Sequence, residues 1–170
     1  MFFRPDAANS NIRQIYRKDT TVLSKLILSI HPFFQGIGII LAFYGAFLGI
    51  QRVRILHFDR KNGVFQRKRH ALIGAIALFL LLGGFGGGFY IAGLVWQGMV
   101  VINLHRNIAL TILPFLLVAI ATGLYLYFSP ARRRILPAIH GLNNAVLLIL
   151  LLLQAYSGIQ VYLQHVLKIP

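Results

Sequence analysis

The hydrophobic positions of this chain fall into four long stretches that contain no Asp, Glu, Lys or Arg. They cover 26–51, 70–105, 107–131 and 135–167. Each exceeds the ~20 residues that a helix needs to cross a bilayer. The second is too long for one upright helix and too short for two, so we predict a connection over 97–104. The pattern predicts an all-α, up-down-up-down membrane bundle with spans at about 30–51, 70–96, 105–128 and 136–164.

The residues before the first span form a separate basic segment in this interpretation. Residues 1–25 mix Arg and Lys with apolar side chains, which favours a helix lying in the membrane interface. Pro32 disfavours helical geometry at His31, so the first spanning helix is expected to start there, with Ser29 as its cap. Residues 26–167 then make up a single four-span membrane domain.

Composition narrows the possible chemistry. The chain has no cysteine, which excludes disulfides, thiolate-held iron–sulfur clusters and covalently attached c-type haem. Its net charge of +14 comes from cations at the ends of the spans, so the expected partners are anionic membrane lipids rather than nucleic acid. Ten of the 17 Lys and Arg residues lie in the loops 52–69 and 129–135. The positive-inside rule places these loops in the cytoplasm and both termini outside, as in a bacterial inner membrane.

One histidine stands at the start of each predicted span, and a glycine follows each of them at the same distance. The histidines are His31, His70, His105 and His140, and the glycines at this constant offset are Gly49, Gly88, Gly123 and Gly158. The offset corresponds to five helical turns, or about 27 Å, so each glycine lies on the face of its histidine. Ionisable side chains inside a bilayer are costly and indicate function by default.

Antiparallel packing sorts the four histidines into two pairs, one near each membrane surface. Two neutral imidazoles on an iron porphyrin give a six-coordinate haem suited to electron transfer. We therefore predict two b haems, an outer one ligated by His31 and His105 and an inner one ligated by His70 and His140, with the four glycines leaving room for the macrocycles. The candidate partners of the anionic propionates are Arg69 and Arg134 at the inner haem and Lys25 and Arg106 at the outer haem.

Two other interpretations remain open at this point. In the first, the chain is a haem-free membrane anchor or small transporter whose histidines serve packing or proton relay. In the second, it is a one-haem subunit of a larger dehydrogenase, with a quinone pocket near Gln154, Tyr156 and Gln160. A carboxylate-based pump is disfavoured because no Asp or Glu lies within a span. Zinc is disfavoured because a histidine pair lacks the third and fourth ligands that a zinc site needs. No role is assigned to His57 or His165.

Short motifs around the four histidines resemble the core of the cytochrome b561 family. They are His31-Pro32, Lys68-Arg69-His70, Asn103-Leu104-His105 and Ile139-His140. Gly49-Ile50-Gln51-Arg52 and the stretch 154–160 are similar to a bacterial group of four-span b561-like proteins of undefined function. The resemblance implies two b haems held between alternate helices and electron transfer across a membrane, by an electron-transfer subunit or transmembrane oxidoreductase.

The resemblance also implies redox partners. The ascorbate-handling motifs of the family are only partly matched, by Arg52 and Arg54 and by Asn103 and Arg106. A quinone pool or a cytosolic donor is therefore the expected source of electrons. The expected acceptor is an extracytoplasmic partner such as a c-type cytochrome. Further expected partners are a dehydrogenase subunit, a second copy of the chain or a larger complex.

Overall fold

A computed structural model of the protein describes residues 6–57, 65–95, 103–129 and 135–167. These residues form α1 (Asp6–His57), α2 (Arg67–Val95), α3 (Asn103–Phe128) and α4 (Ile135–Val161), and α4 continues into a π-helical turn, Tyr162–Leu167. Four segments are long and apolar enough to cross a membrane: Lys25–Ile55, Arg67–Gly93, Asn103–Phe128 and Ile135–Leu167. Their lengths and compositions identify an all-helical integral membrane protein, as the charge-free stretches predict.

The start predicted for the first spanning helix is wrong. α1 is a single helix of 52 residues that runs through Pro32, so the basic segment and the first span are continuous in the described chain. Proline removes one backbone donor, but membrane helices tolerate it where neighbouring helices and hydroxyl side chains compensate. Ser29 does not cap a helix start. Its hydroxyl donates to the Lys25 carbonyl at 2.7 Å and accepts from the Tyr162 hydroxyl at 2.8 Å.

The four helices form two antiparallel hairpins. α1 packs mainly on α2 and α3 mainly on α4, with looser contact between the hairpins. Small residues let the first pair approach closely, since a Cβ at Gly38 would lie 3.3 Å from Leu81 and one at Gly45 would lie 3.8 Å from the Gly74 backbone. Close backbone approach at small residues is a general way for membrane helices to gain packing energy.

An aliphatic layer fills the middle of the bundle. Its buried members come from α2, α3 and α4, and they are Leu81, Ile112, Leu116, Ala119, Leu147 and Leu151. Ile39 and Ala42 of α1 pack against this layer. Every member lies between the histidine and the glycine of its own helix, so the layer separates the two ends of the bundle.

The outer surface of the bundle is apolar. Phe79, Phe128 and Ile135 are each exposed by 76% or more, and many other large hydrophobic side chains are at least half exposed. Without lipid, a surface of this kind would be unstable in water. The exposed faces of the helices are therefore lipid-contacting surfaces.

Candidate functional site

The structure brings the four histidines together in two pairs at opposite ends of the bundle. The ring centroids of His70 and His140 lie 6.3 Å apart, with the ring planes at 83°. His31 and His105 lie within electrostatic interaction distance of each other. Each pair takes one histidine from each hairpin, so both candidate sites bridge the loosely packed interface between the hairpins.

Each of the four glycines faces a histidine of the neighbouring helix in the same hairpin. A Cβ built on the glycine would approach the imidazole Cε1 to 3.2 Å at Gly49 and His70, 2.8 Å at Gly88 and His31, 3.4 Å at Gly123 and His140, and 3.1 Å at Gly158 and His105. The constant offset between histidine and glycine therefore has a direct steric meaning. A side chain at Gly49, Gly88 or Gly158 would push against the ring of a site histidine, whereas one at Gly123 would touch the His140 ring at an ordinary contact distance.

The protonation of the His70 and His140 rings follows from their hydrogen bonds. The Nδ1–H of His70 donates to the Gly45 carbonyl at 2.8 Å. The Thr122 hydroxyl donates to the Val118 carbonyl at 2.6 Å, so it accepts the bond of 2.8 Å from His140 Nδ1. Both rings therefore carry their proton on Nδ1, and both present the lone pair of Nε2. A hydrogen bond on one ring nitrogen is what fixes the other for metal ligation.

His105 has the same tautomer, but its Nε2 is already engaged. The Ser157 hydroxyl donates to the Gln154 carbonyl at 3.0 Å and therefore accepts from His105 Nδ1 at 2.9 Å. The side-chain amide of Gln154 donates to His105 Nε2 at 3.1 Å. At this end the amide of Gln154 occupies the nitrogen that is free on His70 and His140.

Two buried polar atoms at the His31/His105 end have no hydrogen-bond partner among the described residues. They are His31 Nδ1 and Gln154 Oε1. The Gly84 backbone lies close enough to interact with the His31 ring, but Nδ1 has no hydrogen bond of acceptable geometry. The Gln35 amide lies across Gly84 and donates to the Leu80 carbonyl at 2.9 Å. Unpartnered buried polar atoms are uncommon in folded proteins and call for an explanation.

The sequence interpretation did not include Thr122 and Ser157 among the site residues. The sequence does contain a signal for them. Each is a hydroxyl residue directly before one of the glycines that face a histidine, in Thr122-Gly123 and Ser157-Gly158. The three residues named for a quinone pocket lie in different surroundings. Gln154 contacts His105, whereas Tyr156 is 66% exposed and Gln160 is also exposed.

The candidate propionate partners lie at the ends of the bundle. Arg69 is exposed at the His70 end, with its guanidinium 5.4 Å from the Tyr44 ring centroid. Lys25 and Arg106 are exposed at the His31/His105 end. Arg134 lies outside the described residues.

An open, basic cavity of about 770 Å³ lies beside Arg69, lined by Phe65, Gln66, Arg67, Lys68, Arg69, Tyr127 and Phe128. Its shape depends on Arg67, which donates to the Leu126 and Tyr127 carbonyls at the end of α3 and so ties α2 to α3. The Phe65 ring lies 5.7 Å from the His70 ring. One residue that lines the cavity, Phe65, is thus a neighbour of the His70 ring.

The sequence contains two further histidines, His57 and His165. His57 is the last residue of α1, and its side chain lies outside the described part of the structure. His165 lies in the π-helical turn, where its Nδ1 donates to the Val161 carbonyl at 3.3 Å. Across the described ranges, no three His, Cys, Asp or Glu side chains form a group that could hold a metal ion. Each pair thus consists of two histidines.

Comparison with known proteins does not add a relative. No family model, no curated protein and no solved structure matches the chain. Its function is therefore inferred from the arrangement of the histidines and of the residues that contact them.

Proposed function

We propose that this protein is a di-haem b-type cytochrome, similar to cytochrome b561, that transfers electrons across a membrane. The spacing of the His70 and His140 rings carries this proposal. If His70 and His140 both held one metal, a metal–nitrogen distance of about 2 Å and roughly 1 Å more to each ring centre would allow ring centroids up to about 6 Å apart. The observed separation is 6.3 Å.

The chain's own groups fit a bis-imidazole site. Gly45 and Thr122 hold the protons of His70 and His140 on Nδ1, which leaves both Nε2 lone pairs for a metal. The four glycines keep the space beside the rings free of side chains. A b haem held by two histidines supplies one-electron chemistry and has no open position for oxygen, so electron transfer is its natural use.

The layer between the two pairs supports movement of electrons rather than protons. His31 lies five helical turns before Gly49, the glycine that faces His70, which places the pairs about 27 Å apart along the helix axis. The layer between them consists of Leu, Ile and Ala side chains. A proton relay needs titratable groups or water in such a region. This favours the cytochrome over a transporter with relay histidines.

The orientation and the partners follow from the distribution of charge. We place the His70/His140 pair on the cytoplasmic side of a bacterial inner membrane, next to the basic loops, and the His31/His105 pair on the outer side. Arg69 and Arg134 are the proposed propionate partners at the inner haem, and Lys25 and Arg106 at the outer haem. The proposed donor is a quinone pool or a cytosolic reductant, and the proposed acceptor is an extracytoplasmic protein such as a c-type cytochrome.

The direct test is a difference spectrum of the purified protein, reduced with dithionite minus oxidised, with the haem content measured per chain. We expect the α-band of low-spin b haem and about two haems per chain. One haem per chain would support the dehydrogenase-subunit alternative instead. A colourless protein that is stable and folded, as judged by helical circular dichroism, would overturn the proposal.

A further inference from the structure

The two histidine pairs are not equivalent, and the difference lies in the groups that hold the ring nitrogens. We propose that the His70/His140 site binds haem more tightly and takes it first, and that Gln154 is the residue that weakens the His31/His105 site. This inference rests on the proposed function, because it concerns how the chain's residues receive the haems. Its test separates the two ideas.

The His70/His140 site is prepared for ligation. Both Nδ1 atoms donate to an oxygen at 2.8 Å, one to the Gly45 carbonyl and one to the Thr122 hydroxyl. No described side chain hydrogen-bonds to either Nε2 in this structure, and the adjacent Gly49 and Gly123 leave both rings room. A ligand can bind here without breaking an existing hydrogen bond.

The His31/His105 site must be rearranged before it can bind a metal. The Gln154 amide donates to His105 Nε2, the atom that would ligate iron, and this bond must break first. At the same site His31 Nδ1 forms no well-aligned hydrogen bond among the described residues, although the Gly84 backbone lies beside the ring. Both features act against binding at this pair, and neither is present at the other pair.

The unpartnered Oε1 of Gln154 indicates why this side chain can move. The side chain is anchored at the site only by its amide nitrogen, since Oε1 is buried without a partner. Rotation of the side chain therefore costs one hydrogen bond and exposes the Nε2 lone pair. Gln154 acts as a displaceable cap on His105.

The expected size of the difference comes from measured effects of outer-shell hydrogen bonds. Loss of one partner behind a metal-binding histidine lowers metal affinity about 10–100-fold. The Gln154 bond, which must break, and the poorly aligned contact of His31 Nδ1 both act in this direction. We expect the dissociation constant of haem at the His31/His105 site to exceed that at the His70/His140 site by at least about 10-fold.

The test measures each site alone in the full-length protein. His140→Ala leaves the His31/His105 site, and His105→Ala leaves the His70/His140 site. Each haem-depleted protein is titrated with hemin in detergent, and binding is followed by the Soret absorbance. We expect weaker binding in His140→Ala. Adding Gln154→Leu should tighten binding about 5-fold in the His140→Ala protein, which corresponds to one neutral hydrogen bond, and should leave the His105→Ala protein unchanged.

A control variant and an alternative measurement accompany this test. Gln160→Leu makes the same substitution at an exposed position of α4 and should have no effect in either background. If a single-histidine variant does not fold, stepwise hemin titration of the wild-type chain, with the two sites resolved by their low-spin electron paramagnetic resonance signals, gives the loading order directly. Equal affinities, or no effect of Gln154→Leu, would overturn this inference and leave the proposed function standing. Absence of hemin binding by the wild-type chain would overturn the proposed function itself.

Discussion

The two ends of the bundle share a plan and differ in their polar groups. At both ends a histidine from each hairpin meets its counterpart, and a glycine of the neighbouring helix faces each ring. At the His70/His140 end the surrounding acceptors satisfy the rings and leave Nε2 free. At the His31/His105 end, Gln154 occupies one Nε2 and one Nδ1 has no partner among the described residues. One steric arrangement therefore holds two histidine pairs with different hydrogen bonds.

The comparison separates what positions the histidines from what tunes them. Position comes from the helix period and the glycines, which are the same at both ends. Tuning comes from single hydrogen bonds that differ from end to end, such as those of Thr122 and Gln154. In a di-haem cytochrome such differences would give the two haems unequal affinities and potentials, because hydrogen bonds behind a ligand change its basicity.

The largest predicted effect is the loss of one haem when one ligand is removed. His140→Ala should lower the haem content from about two to about one per chain, because a single imidazole cannot hold the macrocycle as a low-spin bis-histidine complex. His31→Ala should do the same at the other end. Haem per chain measured from the pyridine haemochrome spectrum tests this. Two haems retained in both variants would show that the histidines are not the ligands.

Substitution of the glycines should show that the rings at the His31/His105 end have less free space around them. In Gly88→Ala the new methyl would lie 2.8 Å from the His31 ring, so the ring must shift, and we expect loss of most of the haem at that site. Gly123→Ala places its methyl 3.4 Å from His140, an ordinary contact, and should retain both haems. The haem content of the two variants measures the difference.

Gly87 provides the matched control for that experiment. It neighbours Gly88 in the same helix, and a Cβ at Gly87 would meet nothing within 4 Å. Gly87→Ala should therefore keep both haems, and it should gain about 0.5–1 kcal/mol in helix stability, as Gly to Ala does in a helix interior. An equal loss of haem in Gly87→Ala and Gly88→Ala would mean that general packing, and not contact with His31, explains the effect.

A smaller effect is expected from the hydroxyl behind His140. Thr122→Val removes the acceptor of His140 Nδ1 and keeps the shape of the side chain, so haem affinity at the His70/His140 site should fall about 10–100-fold. Thr122→Ser keeps the acceptor and should behave like the wild type. Hemin titration in the His105→Ala background measures the change. The control is Thr111→Val, since the Thr111 hydroxyl is exposed and bonds to Asn107 within its own helix. A drop with Thr111→Val as large as with Thr122→Val would contradict the assigned role.

The smallest predicted effect concerns the link between α1 and the π-helical turn. Tyr162→Phe removes the hydrogen bond to Ser29 and should lower the free energy of unfolding by about 0.5–1.5 kcal/mol without changing the haem content. Tyr156→Phe, at a largely exposed position, should change neither quantity. Thermal unfolding in detergent, followed by circular dichroism, compares the two variants. Haem loss in Tyr162→Phe would instead tie this link to the outer site.

The spans and the pairing of helices follow from the sequence, because each depends on properties that act over many residues. A charge-free stretch of membrane length forms a helix whatever its details, and an offset of five whole turns places His31 and Gly49 on one face of α1 through the helix period alone. The continuity of α1 through Pro32 does not follow in this way. It depends on tertiary contacts near the proline, such as the hydrogen bond from Tyr162, far along the chain, to Ser29.

The polar contacts of the site also cannot be predicted from the sequence pattern. That Gln154 lies on the histidine face of α4 follows from its spacing from His140. Its contact with His105 Nε2 depends on the axial register of α4 against α3, and a slip of a single residue would move it by about 1.5 Å. Ser157 and Thr122 become acceptors only because the registers bring their hydroxyls opposite a ring nitrogen.

The central claim is that electrons cross the membrane between the two histidine pairs, and proteoliposomes test it most directly. Ferricyanide is enclosed in the vesicles, a membrane-impermeant reductant is added outside, and the absorbance of ferricyanide is followed. We expect its reduction to depend on the haem-loaded protein and to fall to the rate of protein-free vesicles in the His140→Ala variant. A wild-type protein with both haems that leaves the enclosed ferricyanide oxidised, or a His140→Ala variant as fast as the wild type, would contradict the account.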